Sequence, residues 1–149
     1  MTDVSISPAP SGDPLTVSVE VGCDAQRAWQ AFISPAAITA WNFASPEWCC
    51  PRAENDLRVG GAFSYRMEAK DGSMGFDFAG TFTELVPHRR LRYALGDSRE
   101  VVVEFIDLPG GRTEVRQSFT PDTTFPPEQQ RAGWQAILEN YKKFVEPGG

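Results

Sequence analysis

The chain has 149 residues, and its 20 acidic residues outnumber its 14 Lys and Arg, giving a formal net charge of −6. This charge opposes binding to phosphate backbones and anionic lipid surfaces, so we expect no nucleic-acid partner. No apolar run approaches the roughly 20 residues needed to cross a bilayer, and no signal-peptide pattern follows Met1, so we expect a cytoplasmic protein without a membrane span.

The start of the chain changes character at residue 15. Residues 1–14 are rich in Ser, Pro, Gly and Asp and have little apolar periodicity, which predicts a flexible leader. Val17, Val19 and Val21 then alternate with polar residues. This period of two predicts a half-buried first strand.

Two short helices are predicted after this strand. Asp24 is suited to cap the first helix, and Pro35 is suited to the first turn of a second helix that runs to about Trp41. Residues 42–60 contain prolines and no clear periodicity, which predicts a loop with a brief extended piece at residues 57–59.

The middle of the chain predicts an antiparallel meander. From residue 62 to 119, segments with apolar alternation are separated by short turns, and short turns can only join neighbouring antiparallel strands. Asp71-Gly72 is suited to the positive φ angles of a tight hairpin turn. Gly80 lies inside a strand, where glycine fits a bend of the sheet or a close approach of the backbone.

The last element is a long amphipathic helix that starts at Pro127 and ends before Pro147. Its apolar residues follow helical spacing; they are Trp134, Ile137, Leu138, Tyr141 and Val145. The simplest way to bury this face and the apolar face of the meander is to pack them together. We therefore predict an α+β helix-grip fold, with a curved antiparallel sheet of six to seven strands wrapped around the C-terminal helix.

Several short motifs occur in a fixed order along residues 15–146. They are Ala28-Trp29-Gln30-Ala31-Phe32, Trp41, Asp56-Leu57-Arg58-Val59-Gly60-Gly61-Ala62-Phe63, Asp71-Gly72, Gly80 with the following Thr81 to Pro87, Arg90-Leu91, and Gly133-Trp134. Together with the order of elements, they resemble the SRPBCC (START-like, Bet v 1-like) superfamily and, within it, the AHSA1 (activator of Hsp90 ATPase homologue 1-like) family. The resemblance implies one START-like domain over residues 15–146, with a cavity for lipids, polyketides or other apolar ligands between sheet and helix.

The residues expected to line such a cavity lie on the predicted inner faces. They are Trp41, Phe63, Tyr65, Met67, Phe76, Phe78, Trp134, Ile137 and Tyr141. Core packing alone explains aromatic stripes at these spacings equally well, so both interpretations stay open. Tyr65, Tyr141 and Trp134 could each offer a polar atom to an apolar ligand.

Few residues are candidates for chemistry, and we predict no cofactor or metal. Adjacent cysteines such as Cys49 and Cys50 cannot easily chelate one ion, and His88, the one histidine, lies in a predicted solvated turn. Glu104 and Tyr65 are the candidates for an acid or base, because burial in an apolar pocket shifts the pKa of such groups.

Three functions remain open on this basis. The first is binding of a small lipid- or polyketide-like molecule without a catalytic centre. The second is a cyclase- or hydrolase-like enzyme that uses Glu104 or Tyr65. The third, implied by the family name, is a protein-binding module for a chaperone of the Hsp90 type. Exposed sheet edges also lead us to expect a homodimer.

Overall fold

Seven antiparallel strands form one curled sheet with a long helix packed into its hollow side in the computed structural model, which describes residues 14–96, 99–121 and 125–146. The elements in chain order are β1 (Leu15–Val21), α1 (Ala25–Ile33), α2 (Pro35–Trp41), β2 (Trp48–Asn55), β3 (Ala62–Ala69), β4 (Gly75–Val86), β5 (Arg90–Leu95), β6 (Glu100–Leu108), β7 (Arg112–Phe119) and α3 (Pro127–Val145). The predicted leader lies outside the described residues, except for Pro14.

The strand order across the sheet is β1-β7-β6-β5-β4-β3-β2. Strands β2 to β7 therefore form the meander, and β1 pairs with the last strand, from Leu15 opposite Phe119 to Val21 opposite Thr113. This arrangement confirms the predicted helix-grip fold. In the described part of the chain, no helix combines the length and the apolarity needed to cross a bilayer.

The prediction of a loop over residues 42–60 was wrong at residues 48–55, where β2 forms the edge of the sheet. Its pairing with β3 is irregular between Cys49 and Arg52. Pro51 lies within this irregularity, and an edge strand tolerates a residue that lacks a backbone N–H. The irregular pairing removes the alternation of buried and exposed side chains, so the sequence carries no period of two there.

The predicted extended piece at residues 57–59 is a turn rather than a strand. Gly60 has a φ of 88°, and a Cβ atom on Gly61 would lie 2.1 Å from the carbonyl oxygen of Asp56. The N–H of Gly60 donates to the carbonyl oxygen of Phe82 at 2.8 Å. In return, the N–H of Phe82 donates to the carbonyl oxygen of Gly61 at 2.9 Å. The glycine pair thus fastens the connection between β2 and β3 to the middle of β4.

The connection at Asp71-Gly72 is longer than the predicted tight turn, because β3 ends at Ala69 and β4 begins only at Gly75. Within this described connection, Gly72 alone has a positive φ, of 78°. The Asp71 carboxylate accepts hydrogen bonds from the N–H and the hydroxyl of Ser73, at 2.9 and 2.6 Å. The aspartate therefore stabilises the loop through its side chain and does not adopt a left-handed backbone.

Two features of β4 produce the curl of the sheet. A Cβ atom on Gly80 would lie 2.3 Å from the carbonyl oxygen of Ala94 and 2.9 Å from the ring of Phe63, which is the close approach that the sequence predicted. The register between β4 and β5 also shifts between Phe82 and Glu84, so Thr83 is an extra residue in β4. Bulges of this kind bend and twist a strand.

The C-terminal half of α3 holds the helix in place. Leu138, Tyr141 and Val145 are buried, and the Tyr141 hydroxyl donates to the carbonyl oxygen of Ala28 in α1. The α3 backbone lies close to β1, α1 and α2. It lies further from β3, β4 and β5. A space is therefore left between the helix and these three strands.

Candidate functional site

A cavity of about 320 Å³ lies between the inner face of the sheet and α3. This volume is at the lower end of the range of roughly 300–1,000 Å³ that is usual for small-molecule sites. The aromatic side chains on its wall are Phe32, Trp41, Phe63, Tyr65, Phe76, Phe78, Phe82, Tyr93, Phe125 and Trp134. The other side chains on the wall are Ile33, Asn42, Met67, Leu91, Arg99, Gln117, Gln130, Ile137 and Leu138.

Most residues predicted as cavity lining come together on this wall. They are Trp41, Phe63, Tyr65, Met67, Phe76, Phe78, Trp134 and Ile137. Tyr141, which we also expected on the wall, instead lies in the core, fully buried between the rings of Phe32 and Trp41 at centroid distances of 5.4 and 5.1 Å. It faces the short helices because it lies a turn further along α3 than Ile137.

Phe63 is the centre of the aromatic wall. Its ring lies over Gly80 and contacts the rings of Tyr65 and Tyr93, each at 4.9 Å, and that of Phe82 at 5.3 Å. Rings that pack on each other in tilted and edge-to-face arrangements restrain one another. The wall is therefore held in shape without any contribution from a bound molecule.

Trp134 closes the cavity from the helix side. Its indole stacks on Phe119 of β7, with ring centroids 4.0 Å apart and planes only 8° from parallel, and meets the edge of Phe78 at 6.0 Å. These contacts hold the N-terminal half of α3 over the inner face of the sheet.

The cavity continues into a second, more open hollow of about 350 Å³, which shares Met67, Phe76 and Trp134 with it. Phe76 and Phe125 border both spaces and are 49% and 53% exposed. Trp48 of the edge strand also borders the outer hollow. The opening of the cavity to solvent therefore lies between the β3–β4 hairpin and the start of α3.

Gln117, a polar residue on the inner face of β7, was not among the predicted site residues. It is only 6% exposed and follows the same alternation as its buried neighbours Val115 and Phe119. The Gln117 side chain lies near the Tyr93 hydroxyl and opposes part of the rise that burial causes in the pKa of that tyrosine. A glutamine at a position where the alternation of the strand calls for an apolar residue was the signal that could have identified Gln117.

The tyrosines of the wall keep their protons at neutral pH. Burial raises the pKa of Tyr65 to about 12, and the hydrogen bond that the Asn55 amide donates to its hydroxyl at 3.2 Å opposes part of this rise. Burial also raises the pKa of Tyr93 above its ordinary range. Both hydroxyls are therefore hydrogen-bonding groups rather than bases near pH 7.

The other candidates for chemistry lie away from the cavity. Glu104 is on the outer face of β6, opposite Arg90 of β5 and Arg116 of β7 in the strand registers. His88 is exposed in the β4–β5 turn, and the Cys50 thiol, which is buried, donates to the backbone of its own strand. These three side chains are not part of the wall.

Known proteins resemble this chain over most of its length. The sequence model described as activator of Hsp90 ATPase homolog 1-like protein matches residues 23–146. The solution structure of an AHSA1-like protein from Aeromonas hydrophila is 44% identical, with a TM-score of 0.80, and the match covers 88% of this chain and 92% of that one.

Two further solved structures show the same similarity. A solution structure from Cytophaga hutchinsonii is 42% identical, with a TM-score of 0.78 over 90% of this chain and 92% of that one. A crystal structure from Chromobacterium violaceum is 26% identical, with a TM-score of 0.81 over 91% of this chain and 99% of that one. A comparison with curated proteins gave no match.

Proposed function

The chain belongs to the activator of Hsp90 ATPase homolog 1-like family, and from this premise we propose that it binds a small apolar molecule in the cavity between the sheet and α3. The observation that carries the proposal is the cavity itself. Protein interiors normally close-pack and leave few voids larger than a water molecule. A space of about 320 Å³ bordered by mutually packed rings is the kind of site that apolar ligands fill.

The groups on the wall favour binding over acid–base catalysis. Among the described residues, the wall carries no carboxylate and no histidine. Its tyrosines, Tyr65 and Tyr93, are protonated at neutral pH like any tyrosine with a pKa near 10, and burial raises the pKa of each further. The wall therefore offers apolar surface, uncharged hydrogen-bonding groups and the guanidinium of Arg99 to a ligand.

Filling the cavity tests this proposal. Ile137 borders both hollows, so Ile137→Trp would occupy space that a ligand needs. We expect the wild-type protein to bind the uncharged dye N-phenyl-1-naphthylamine saturably, with increased emission, and the variant to bind it at least about tenfold more weakly, a loss of about 1.4 kcal/mol. The measurement is a fluorescence titration at constant protein concentration.

The matched control places the same tryptophan elsewhere on the helix. Ala132 of α3 is exposed and not part of the cavity wall, so Ala132→Trp should bind the dye as the wild type does. Circular dichroism would establish that both variants are folded. Equal dye affinity in Ile137→Trp and the wild type, or no saturable binding by the wild type, would contradict the proposal.

A further inference from the structure

The structure also points to the chemistry of the ligand. We propose that the ligand carries an uncharged oxygen, such as that of a ketone, amide or hydroxyl group, and that Tyr93 and Gln117 recognise this oxygen inside the cavity. The inference rests on the proposed function and adds a polar requirement to it.

The Gln117 side chain has more hydrogen-bonding capacity than the protein uses. A primary amide has two N–H donors and a carbonyl oxygen with two lone pairs. Gln117 is only 6% exposed and borders the cavity, and within the described residues its side-chain amide makes no hydrogen bond; the Tyr93 hydroxyl, also on the wall, lies near it. Buried polar groups are almost always hydrogen-bonded, because an unsatisfied group is costly. This capacity therefore faces the cavity, where a ligand or water must satisfy it.

Tyr93 gives this polar pair a fixed position. The residue is 6% exposed, and its ring meets the edges of Phe63 at 4.9 Å and of Phe78 at 6.2 Å. The hydroxyl cannot swing to solvent without disturbing these contacts. A ligand oxygen placed at the pair would meet preorganised donors in an otherwise apolar wall, a combination that fixes orientation and confers specificity.

The remaining polar groups of the wall already have partners. Asn42 donates to the Met67 sulfur at 3.4 Å. Gln130 donates to the carbonyl oxygen of Phe125 at 2.8 Å, and Arg99 is also engaged. The Tyr65 hydroxyl already accepts a hydrogen bond from Asn55, which also donates to the carbonyl oxygen of Ile33 at 2.8 Å. The described wall has no carboxylate that could balance a cationic ligand. An uncharged oxygen matches the buried, neutral groups of Tyr93 and Gln117 without placing a charge in an apolar space.

A pair of tricyclic probes that differ in one ketone tests the inference. Fluorene is a hydrocarbon, and 9-fluorenone has the same skeleton with one added carbonyl oxygen. Each would be titrated against bound N-phenyl-1-naphthylamine, in the wild-type protein and in the Gln117→Leu variant. The quantity to compare is the ratio of the fluorenone affinity to the fluorene affinity, because differences in solvation of the free probes cancel between proteins.

We expect Gln117→Leu to lower this ratio about tenfold while fluorene still displaces the dye. Tyr93→Phe, which keeps the ring and removes only the hydroxyl, should lower the ratio by about threefold or more, and it tests the inference independently if Gln117→Leu does not fold. Gln135→Leu makes the same change of side chain on α3 outside the cavity wall, so its ratio should equal that of the wild type.

The outcomes separate this inference from the proposed function. If both probes displace the dye and their affinity ratio is the same in the wild type, Gln117→Leu and Tyr93→Phe, the polar recognition is refuted and apolar binding stands. If neither probe displaces the dye from the wild type and Ile137→Trp leaves dye affinity unchanged, the proposed function and this inference fail together.

Discussion

Replacing Gly80 with alanine will lower the free energy of unfolding by about 3 kcal/mol and the melting temperature by roughly 6–12 °C. The added methyl group would lie 2.3 Å from the carbonyl oxygen of Ala94 and 2.9 Å from the Phe63 ring. Backbone of β5 must shift to relieve the first contact, and the central ring of the cavity wall must shift to relieve the second. Thermal unfolding followed by circular dichroism measures the effect.

The control is the same substitution at a glycine with free space. No atom lies within 4 Å of a Cβ atom built on Gly133, which is inside α3. Gly133→Ala should therefore raise stability by about 0.4–1 kcal/mol, because alanine favours the helix and restricts the unfolded chain. Equal stability of Gly80→Ala and the wild type would show that the sheet does not need the close approach at Gly80.

The second large effect is expected at high pH, where the folded protein will show no tyrosine ionisation near pH 10. The chain has three tyrosines, and burial raises the pKa of Tyr65 to about 12 and also raises those of Tyr93 and Tyr141. An unfolded tyrosine ionises near pH 10. As the pH rises above 10, the unfolded chain loses these protons first, so the stabilisation is complete below pH 10 and is lost above it.

Ionisation of each tyrosine in the unfolded chain would lower the free energy of unfolding by up to about 1.4 kcal/mol per pH unit above pH 10. The three tyrosines together would lower it by up to about 4 kcal/mol per pH unit. Against a typical stability of about 5–15 kcal/mol, unfolding should follow within a few pH units. Tyrosinate absorbance and circular dichroism should change together in one alkaline transition. In concentrated urea, the same absorbance should instead titrate near pH 10. An absorbance rise near pH 10 with the circular dichroism unchanged would show that the tyrosines are exposed in the folded state.

Much of the fold was predictable because its signals are local. The alternation of Val17, Val19 and Val21 and the helical spacing from Trp134 to Val145 each mark an element that buries one face. Short turns between the segments from residue 62 to 119 then allow little other than an antiparallel meander. The edge strand β2 escaped prediction because Pro51 and the irregular pairing between Cys49 and Arg52 remove its alternation.

The candidate site was predictable in its composition and less so in its detail. The aromatic residues of β3 and β4 could be assigned to an inner face from their period of two. Helical spacing, in contrast, places Tyr141 and Ile137 on the same broad stripe, and it does not distinguish core from cavity within that stripe. Because β6 has apolar residues on both faces, the sequence did not show which face of the sheet Glu104 is on. The strand register, with Glu104 opposite Arg90 and Arg116, shows that it is on the outer face.

By itself, the sequence determined which faces must be buried, because the periodicity of apolar side chains is a property of each segment alone. Only the tertiary structure decided how much space remains between those faces. That space depends on where the curl at Gly80 and the contacts of Trp134 and Tyr141 hold α3, and these contacts join residues far apart in the chain. The proximity of Gln117 to Tyr93 arises in the same way, from strands β5 and β7, which are neighbours of β6 and not of each other in the sheet.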